Sequence, residues 1–369
     1  MTILRLTTNP GIEDIVANEF RQKAAKLDCQ ITRIQCRPFH HIDGHVLVES
    51  NEPWEKLSAV AFQMRSVFHV MQHLHQFQHQ GGDFLAEICQ ELEQLDIPPM
   101  QDAKTFRTTS KRNGQHPFTS IDVQRQTGAV LVERYGAGVD LTNPDVNVRV
   151  DVIEDTCFIS LQQTWVSLDQ RYQRGFQPRI TLKTTMAFAM LHLSKLPASG
   201  GKILDPFCGS GTILLEAASL RPDIQLYGSD REEKCVTGTR ENLISAGYYQ
   251  RSHIQQLDAR DIAAAYPSAA FHAIVTNPPY GIQVGQQIDF YRLYRKFLQA
   301  ATQLLVPQGR VVMLVGKKHA LVRKVLRSLP QFRVCHERVV ETGNIYPHLM
   351  VLELLPPSTS DGNSHQEAL

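Results

Sequence analysis

Two strings in the second half of this chain bring together residue types that could do chemistry. The first is Asn277-Pro278-Pro279-Tyr280, which follows the apolar run Ala273-Ile274-Val275-Thr276. The Asn277 side-chain oxygen accepts from an N–H. Two successive prolines remove two backbone donors and fix a turn, leaving the Pro278 carbonyl as a second acceptor. Tyr280 can lie against a flat group. Such a set recognises an amine or amide attached to a π system.

The second string runs from Lys202 to Ala218 and contains Asp205-Pro206-Phe207-Cys208-Gly209-Ser210-Gly211-Thr212. It reads as strand, glycine turn and helix. Gly209 and Gly211 let the backbone bend and approach a ligand, and the helix start offers free N–H groups. Leu214 stands where a dinucleotide fingerprint needs its third glycine, and no Gly-Lys-Ser/Thr makes it a Walker loop. Asp205 suits a positive amino group better than phosphates. Cys208 reads as a small packing residue rather than a nucleophile.

These strings need a sheet to hold them. Asp230 ends a second strand about 20 residues beyond the glycine turn, the separation at which a carboxylate takes ribose hydroxyls. A third strand end falls near Asp258-Ala259-Arg260-Asp261, and Ala273 to Thr276 forms a fourth. An isolated Asp after a strand is usually a helix cap. Four acid- or Asn-terminated strands in succession instead describe a parallel sheet whose carboxyl edge holds a nucleoside-like cofactor.

Together the strings DPFCGSGTILLEAA, GSD, LDARD and TNPPYG resemble the motifs of S-adenosylmethionine-dependent amino-methyltransferases, most closely the N2-guanosine RNA methyltransferases. The resemblance covers residues 180 to 355. It implies that Asp205, Phe207, Gly209, Gly211 and Thr212 surround the methionine moiety of S-adenosyl-L-methionine. Asp230 would hold the ribose, and Asp258, Ala259 and Arg260 would border the adenine. Thr185 matches a family threonine near the cofactor. Asn277, Pro278 and Tyr280 would be catalytic, with Asn277 also beside the cofactor. Variants of NPPY serve adenine N6, glutamine amide and guanine N2 alike, so the first half of the chain must decide the acceptor.

There, Lys104 to Ser120 reads as strand, basic loop and helix start, followed by Leu141-Thr142-Asn143-Pro144-Asp145 and an alternating strand from Val146 to Val152. This is similar to the THUMP domain of RNA-modifying enzymes, which grips the 3′ end of tRNA. It implies RNA contacts from Lys104, Arg107, Lys111 and Arg112. The string LDQRYQRGF resembles the segment before the family's methyltransferase domain and adds Arg174; relatives often have RGY there.

The expected architecture is α/β. A ferredoxin-like domain (1–70) and a THUMP domain (71–165) form an α+β RNA-binding half. A linker (166–180), a Rossmann-fold class I methyltransferase domain with a mostly parallel sheet (181–355) and a disordered tail (356–369) complete it. Thr2–Thr7 and His45–Glu49 read as strands, Pro53 to His69 as a helix, and Thr181 to Leu196 as the first helix of the methyltransferase domain. His69, His73, His75 and His79 lack a carboxylate or thiol near them in sequence, so no metal site is expected.

Composition bounds the rest. No apolar run approaches the ~20 residues that span a bilayer. Seven cysteines without a Cys-x-x-Cys pair fit a reducing cytoplasm. The net charge is only +1. Residues 1–175 carry 17 Lys+Arg against 22 Asp+Glu, and the remainder 21 against 15. Attraction for RNA must therefore come from patches. The patches are Lys104/Arg107/Lys111/Arg112, Arg171/Arg174/Arg179/Lys183 and Lys317/Lys318/Arg323/Lys324/Arg327. No coiled coil or apolar stripe asks for a dimer, so a monomer is expected.

The function the resemblance implies is methylation of the exocyclic N2 of a guanosine in tRNA, at position six of the acceptor stem. Alternatives are the same chemistry on 23S ribosomal RNA, adenine-N6 or glutamine-amide methylation, and a non-catalytic RNA-binding module. The uncharged Ile282-Gln283-Val284-Gly285 after NPPYG departs from the charged pair usual in relatives.

Overall fold

A computed structural model describes residues 1–38, 43–178, 181–281 and 287–356. Arg179, the Ile282–Gly285 stretch and the tail from residue 357 lie outside the described residues. The chain divides into two compact units, Met1–Gln170 and Arg171–Leu369.

The first unit opens with β1 (Thr2–Thr7), α1 (Glu13–Lys26), β2 (Arg33–Cys36), β3 (His45–Ser50), α2 (Trp54–Ala61) and β4 (His69–Gln78). It continues with α3 (Phe84–Gln94), α4 (Pro98–Gln101), β5 (Thr105–Thr109), β6 (Arg112–Asn113) and α5 (Ser120–Tyr135). Strands β7 (Gly138–Val139), β8 (Val146–Ile153) and β9 (Thr156–Gln162) complete it. Local chemistry sets several bounds. Thr119 and Asp122 close a capping box at the start of α5, and Gly136, left-handed at φ 68°, ends it. Asp83 caps α3 by accepting from the Leu85 and Ala86 N–H groups.

Among the described residues these strands form one sheet in the order β2-β3-β1-β4-β9-β8-β5-β7, with β6 beside β8. The boundary expected at residue 70 falls inside β4, which pairs with β1 on one side and β9 on the other. One sheet thus carries two cores. One gathers Phe20, Leu57 and Val70, the other Ile88, Phe106 and Val150. The helix expected over Pro53 to His69 stops at Ala61. Phe62 and Gln63 turn the chain, and His69 already belongs to the sheet. Pairing with β1 overrides the helical reading of this apolar stretch.

The second unit contains α6 (Thr184–Ser194), β10 (Gly201–Asp205), α7 (Thr212–Leu220), β11 (Ile224–Asp230), α8 (Glu233–Ser245) and β12 (Ser252–Gln256). Then come β13 (Phe271–Thr276), α9 (Phe290–Leu304), β14 (Leu305–Val315), α10 (His319–Leu326), β15 (Phe332–Val339) and β16 (His348–Leu354). The strand order is β12-β11-β10-β13-β14-β16-β15. All neighbouring pairs from β12 to β14 are parallel, and β16 runs antiparallel between β14 and β15. Ile203-Leu204 and Ala273-Ile274-Val275 are buried, as central parallel strands covered on both faces require. Chain order reverses between β10 and β13. That is the switch point where a doubly wound sheet opens a crevice at its carboxyl edge.

The segment read as a linker divides between the units. The Leu168 N–H donates to the Phe68 carbonyl, and its side chain packs on the first unit's core. Phe176 belongs to the second unit, where Asn242 accepts from its N–H at 3.1 Å and donates to its carbonyl at 2.7 Å.

Candidate active site

The glycine turn is built from inside. The Cys208 N–H donates to the Ser229 carbonyl, and Gly211 N–H closes the turn on the Cys208 carbonyl at 2.7 Å. Gly211 has φ 76°, and a Cβ there would meet Thr239 at 3.0 Å. Thr239 in turn donates to the Gly209 carbonyl at 3.0 Å. Burial drives the Cys208 thiol well above its ordinary range, so it is an inert packing group.

Asp205 ends β10, buried. Its Oδ1 accepts from Thr276 Oγ1 at 2.7 Å and from the Phe207 N–H at 3.1 Å. Burial pushes this carboxyl up to about 7, partly offset by those two donors, while Asp230 adds to the rise. Among the described residues no basic side chain forms an ion pair with Asp205. Phe207 stands edge-on to Phe297, with ring centroids 5.7 Å apart. Thr212 begins α7, with its hydroxyl 3.3 Å from that of Ser210.

Asp230 ends the neighbouring β11. One oxygen accepts from Gly209 N–H at 3.1 Å and the other from Glu232 N–H at 3.0 Å. Burial raises this carboxyl too. Asp230 thus braces the glycine turn directly, and each oxygen keeps a second lone pair for a ligand hydroxyl.

The third strand end differs. Asp258 is clamped by Arg260, with Nε at 2.9 Å and Nη2 at 2.6 Å, and this hydrogen bonding holds its carboxyl below the usual range. Arg260 is thereby held by its own neighbour, and the buried Ala259 sits between them. Thr185 is fully buried in the first turn of α6.

Asn277 follows β13 directly. The Tyr280 hydroxyl donates to Asn277 Oδ1 at 2.6 Å. One lone pair of the expected acceptor is therefore engaged within the motif, and the second remains. Burial raises the Tyr280 phenol far above its ordinary value, with nearby Tyr294 contributing, so it stays a protonated donor. The Tyr294 hydroxyl on α9 is buried, with no hydrogen-bond partner among the described residues. Gly316 presses on Tyr280; a Cβ at Gly316 would lie 2.9 Å from that of Tyr280. Thr276, one residue before Asn277, is the residue bound to Asp205. Sequence reading missed Thr276, Thr239, Tyr294 and Gly316. Only the spatial adjacency of β10 and β13, or of Gly316 and Tyr280, marks them.

Elsewhere the expected RNA contacts separate. Lys104 and Lys111 are exposed. Arg107 donates to the Leu141 carbonyl at 3.2 Å and stacks 5.4 Å from the centre of Trp165, itself 47% exposed. Arg112 is committed to its loop, donating to the Gly114 carbonyl at 2.6 Å and meeting His116 Nδ1 at 3.0 Å. Arg174, in the second unit, lies 6.0 Å from the Tyr172 ring centre. The histidine run lies on β4. His75 meets Glu91 at 2.9 Å and His79 pairs with Glu87, both from α3, so carboxylates absent in sequence are supplied in space. No group of three or more metal-ligating side chains occurs among the described residues. Nor is any described helix long and apolar enough to cross a membrane.

Comparison with known proteins agrees with this geometry. Residues 171–347 match the RMKL-like methyltransferase domain family UPF0020, and residues 83–162 match the THUMP domain. The tRNA (guanine(6)-N2)-methyltransferase of Thermus thermophilus is 33% identical over 95% of this chain and 99% of its own. The crystal structure of TrmN from Thermus thermophilus, at 33% identity, superposes with a TM-score of 0.79 over 96% of this chain and 100% of that one. SMU.472, solved in complex with SAH, shares the fold at 19% identity, with a TM-score of 0.72 over 95% of this chain and 97% of the other. Near-complete coverage of both chains at this identity shows that the chain belongs to the THUMP-bearing guanine-N2 methyltransferase family.

Proposed function

We propose that this protein transfers a methyl group from S-adenosyl-L-methionine to the exocyclic N2 of guanosine six in the acceptor stem of tRNA. The observation that carries the reading is the Thr276–Asp205 hydrogen bond of 2.7 Å. It locks the strand presenting Asn277 beside the strand presenting the glycine turn. The amine-recognising motif and the candidate cofactor cradle are thereby one rigid edge, not two separate features.

The residues fit the donor. Asp205 is a buried carboxylate with no cation against it among the described residues, the natural partner of the methionine amino group. A Cβ at Gly209 would meet nothing nearer than the Phe207 carbonyl oxygen at 3.9 Å, so the outer side of the turn is open to a ligand. Asp230 offers its free lone pairs to a ribose. When bound, S-adenosyl-L-methionine supplies a methyl group already activated by a sulfonium, so positioning counts for more than a strong base.

The protein's work is on the base. Guanine's amine is conjugated into its ring and weakly nucleophilic. If Asn277 Oδ1 and the Pro278 carbonyl each accept one N–H, the nitrogen is drawn toward tetrahedral geometry and its lone pair is turned outward. The amine lone pair forms the new N–C bond as the methyl's bond to sulfur breaks, leaving neutral S-adenosylhomocysteine, and one amine proton then leaves to water. Tyr280 holds the base against its ring after it leaves the stem, which costs a few kcal/mol. Its hydroxyl fixes the rotamer of Asn277 until the base arrives.

In the first unit, Lys104, Arg107 and Lys111 would hold the 3′ end of tRNA, aided by Trp165. A groove of about 1090 Å³, with the partly exposed rings of Phe77, His79 and His116 in its lining, offers a place where unpaired bases can stack. Arg112 contributes by holding His116 in place. The reading includes a monomeric enzyme.

The test is transfer of labelled methyl to bulk tRNA from cells lacking the enzyme, with the product nucleosides resolved by mass spectrometry. N2-methylguanosine at position six is the expected product. Label confined to ribosomal RNA would overturn the partner, and methyladenine would overturn the chemistry.

A further inference from the structure

Between Phe290 and His336 the chain carries ten Lys and Arg residues and no Asp or Glu. This stretch outweighs the whole positive balance of the second half of the chain, yet the methyl-transfer site does not use it. Folding neutralises three of the ten. Arg310 and Arg333 share Glu353, at 2.7 and 2.6 Å, and Arg323 takes Glu337 at 2.8 Å. Among the described residues, Arg292, Arg295, Lys296, Lys317, Lys318, Lys324 and Arg327 form no ion pair.

These cations converge in space. They lie on α9, on α10 and on the turn between β14 and α10, and the two helices pack together. The buried faces are apolar: Leu293, Tyr294 and Phe297 on α9, Val322 and Val325 on α10. All the unpaired cations but the half-buried Lys296 are exposed. Lys324 lies 5.1 Å from the ring centre of Tyr291, which ties the two helical faces into one surface. Two carboxylates lie nearby in sequence. Asp289 caps α9 by accepting from the Arg292 N–H, and Glu337 also takes His348.

The surface starts at the site. Gly316 is pressed against Tyr280, and Lys317 and Lys318 are the next two residues. A nucleotide swung out onto Tyr280 keeps its flanking phosphates, which must lie at the rim of the site. We propose that the α9–α10 face binds the phosphodiester backbone of the RNA strand on either side of the target guanosine. This rests on the reading of the substrate as RNA. Lysine and arginine side chains contacting phosphate release counterions, so their contribution is read from salt dependence.

The test compares the full-length enzyme with Lys317→Gln/Lys318→Gln/Lys324→Gln and with Arg292→Gln/Arg295→Gln. Unmethylated tRNA binding is measured from about 50 to about 300 mM salt, where each lost phosphate contact lowers the slope of log K against log salt by about one. Expected is a slope shallower by about two to three in the lysine variant and one to two in the arginine variant. Melting temperature and S-adenosyl-L-methionine affinity stay unchanged, and KM for tRNA rises more than kcat falls. An unchanged slope and KM in both variants would overturn the proposal. So would loss of binding to polyglutamate with tRNA binding intact, which would assign the face to an acidic protein. If the unaltered enzyme methylates no RNA, the functional reading fails and this surface with it.

Discussion

Two buried carboxylates, Asp151 in the first unit and Asp205 in the second, are treated in opposite ways. Asp151 is tied to cations, as Glu216 of the second unit is to Arg171 at 3.3 Å. Asp151 meets the buried Arg5 at 2.7 Å and the partly buried Arg149 at 2.9 Å. Burial pushes the Asp151 carboxyl up, but the two guanidiniums outweigh it and hold it at about 2. Glu19 accepts from the N–H groups of Arg65 and Ser66 and from the Ser66 hydroxyl. Asp205, in the second unit, receives two neutral donors and, among the described residues, no cation, and burial pushes its carboxyl up to about 7. A charge buried with its partners serves the fold. One buried without a counter-charge is strained until a ligand brings it.

Replacing each carboxylate by its amide should split that comparison most widely. Asp151→Asn leaves Arg5 buried with its charge uncompensated and is expected to lower stability by about 3 to 5 kcal/mol, measured by denaturant unfolding. Asp205→Asn should do the reverse at pH 8. Its native carboxyl is raised, so that contribution to stability is full below the unfolded value and lost as pH climbs through about 7. A higher melting temperature for the amide, without ligand, is the expected result.

Asn277→Ala comes next. If the acceptor acts mainly in the transition state, single-turnover methyl transfer should fall about 10²- to 10³-fold while S-adenosyl-L-methionine affinity changes little. Equal losses in both would remove that role from Asn277. A smaller effect concerns pH. The charged form of Asp205 is the one that pairs with an amino group, so cofactor affinity should drop about tenfold from about pH 7.5 to about pH 5.5. Calorimetry on Asp205→Asn should show weak binding with that slope gone. The smallest effect belongs to Tyr280→Phe, which keeps the ring and frees Asn277. Activity should stay within about tenfold of the unaltered enzyme, because only one neutral hydrogen bond is lost.

Legibility in the sequence followed the range of the interactions. The glycine turn, Asp230 after β11 and NPPY after β13 are local patterns, set by the conformational demands of glycine and proline and by strand period. The ends of β1 and the start of α5 near Ser120 were readable for the same reason. The span from Pro53 to His69 was misread because pairing with β1, some 60 residues earlier, decides where β4 begins. Arg112 looked like a free cation in a basic loop, yet its partners are a carbonyl and a histidine placed by the hairpin. The Asp258–Arg260 clamp lies two residues apart, but side-chain direction is not written in spacing.

By itself, then, the sequence determined the residue types at the carboxyl edge, the order of strands that presents them and the resemblance those motifs carry. Each depends on contacts within a few residues, where backbone preference is strong. Only the tertiary structure decided that Thr276 would bind Asp205, that Gly316 would press on Tyr280, and that seven cations from α9, α10 and the turn between β14 and α10 would share a face. Those depend on crossovers of tens of residues, and their energies arise only once the sheet has closed the loops between them.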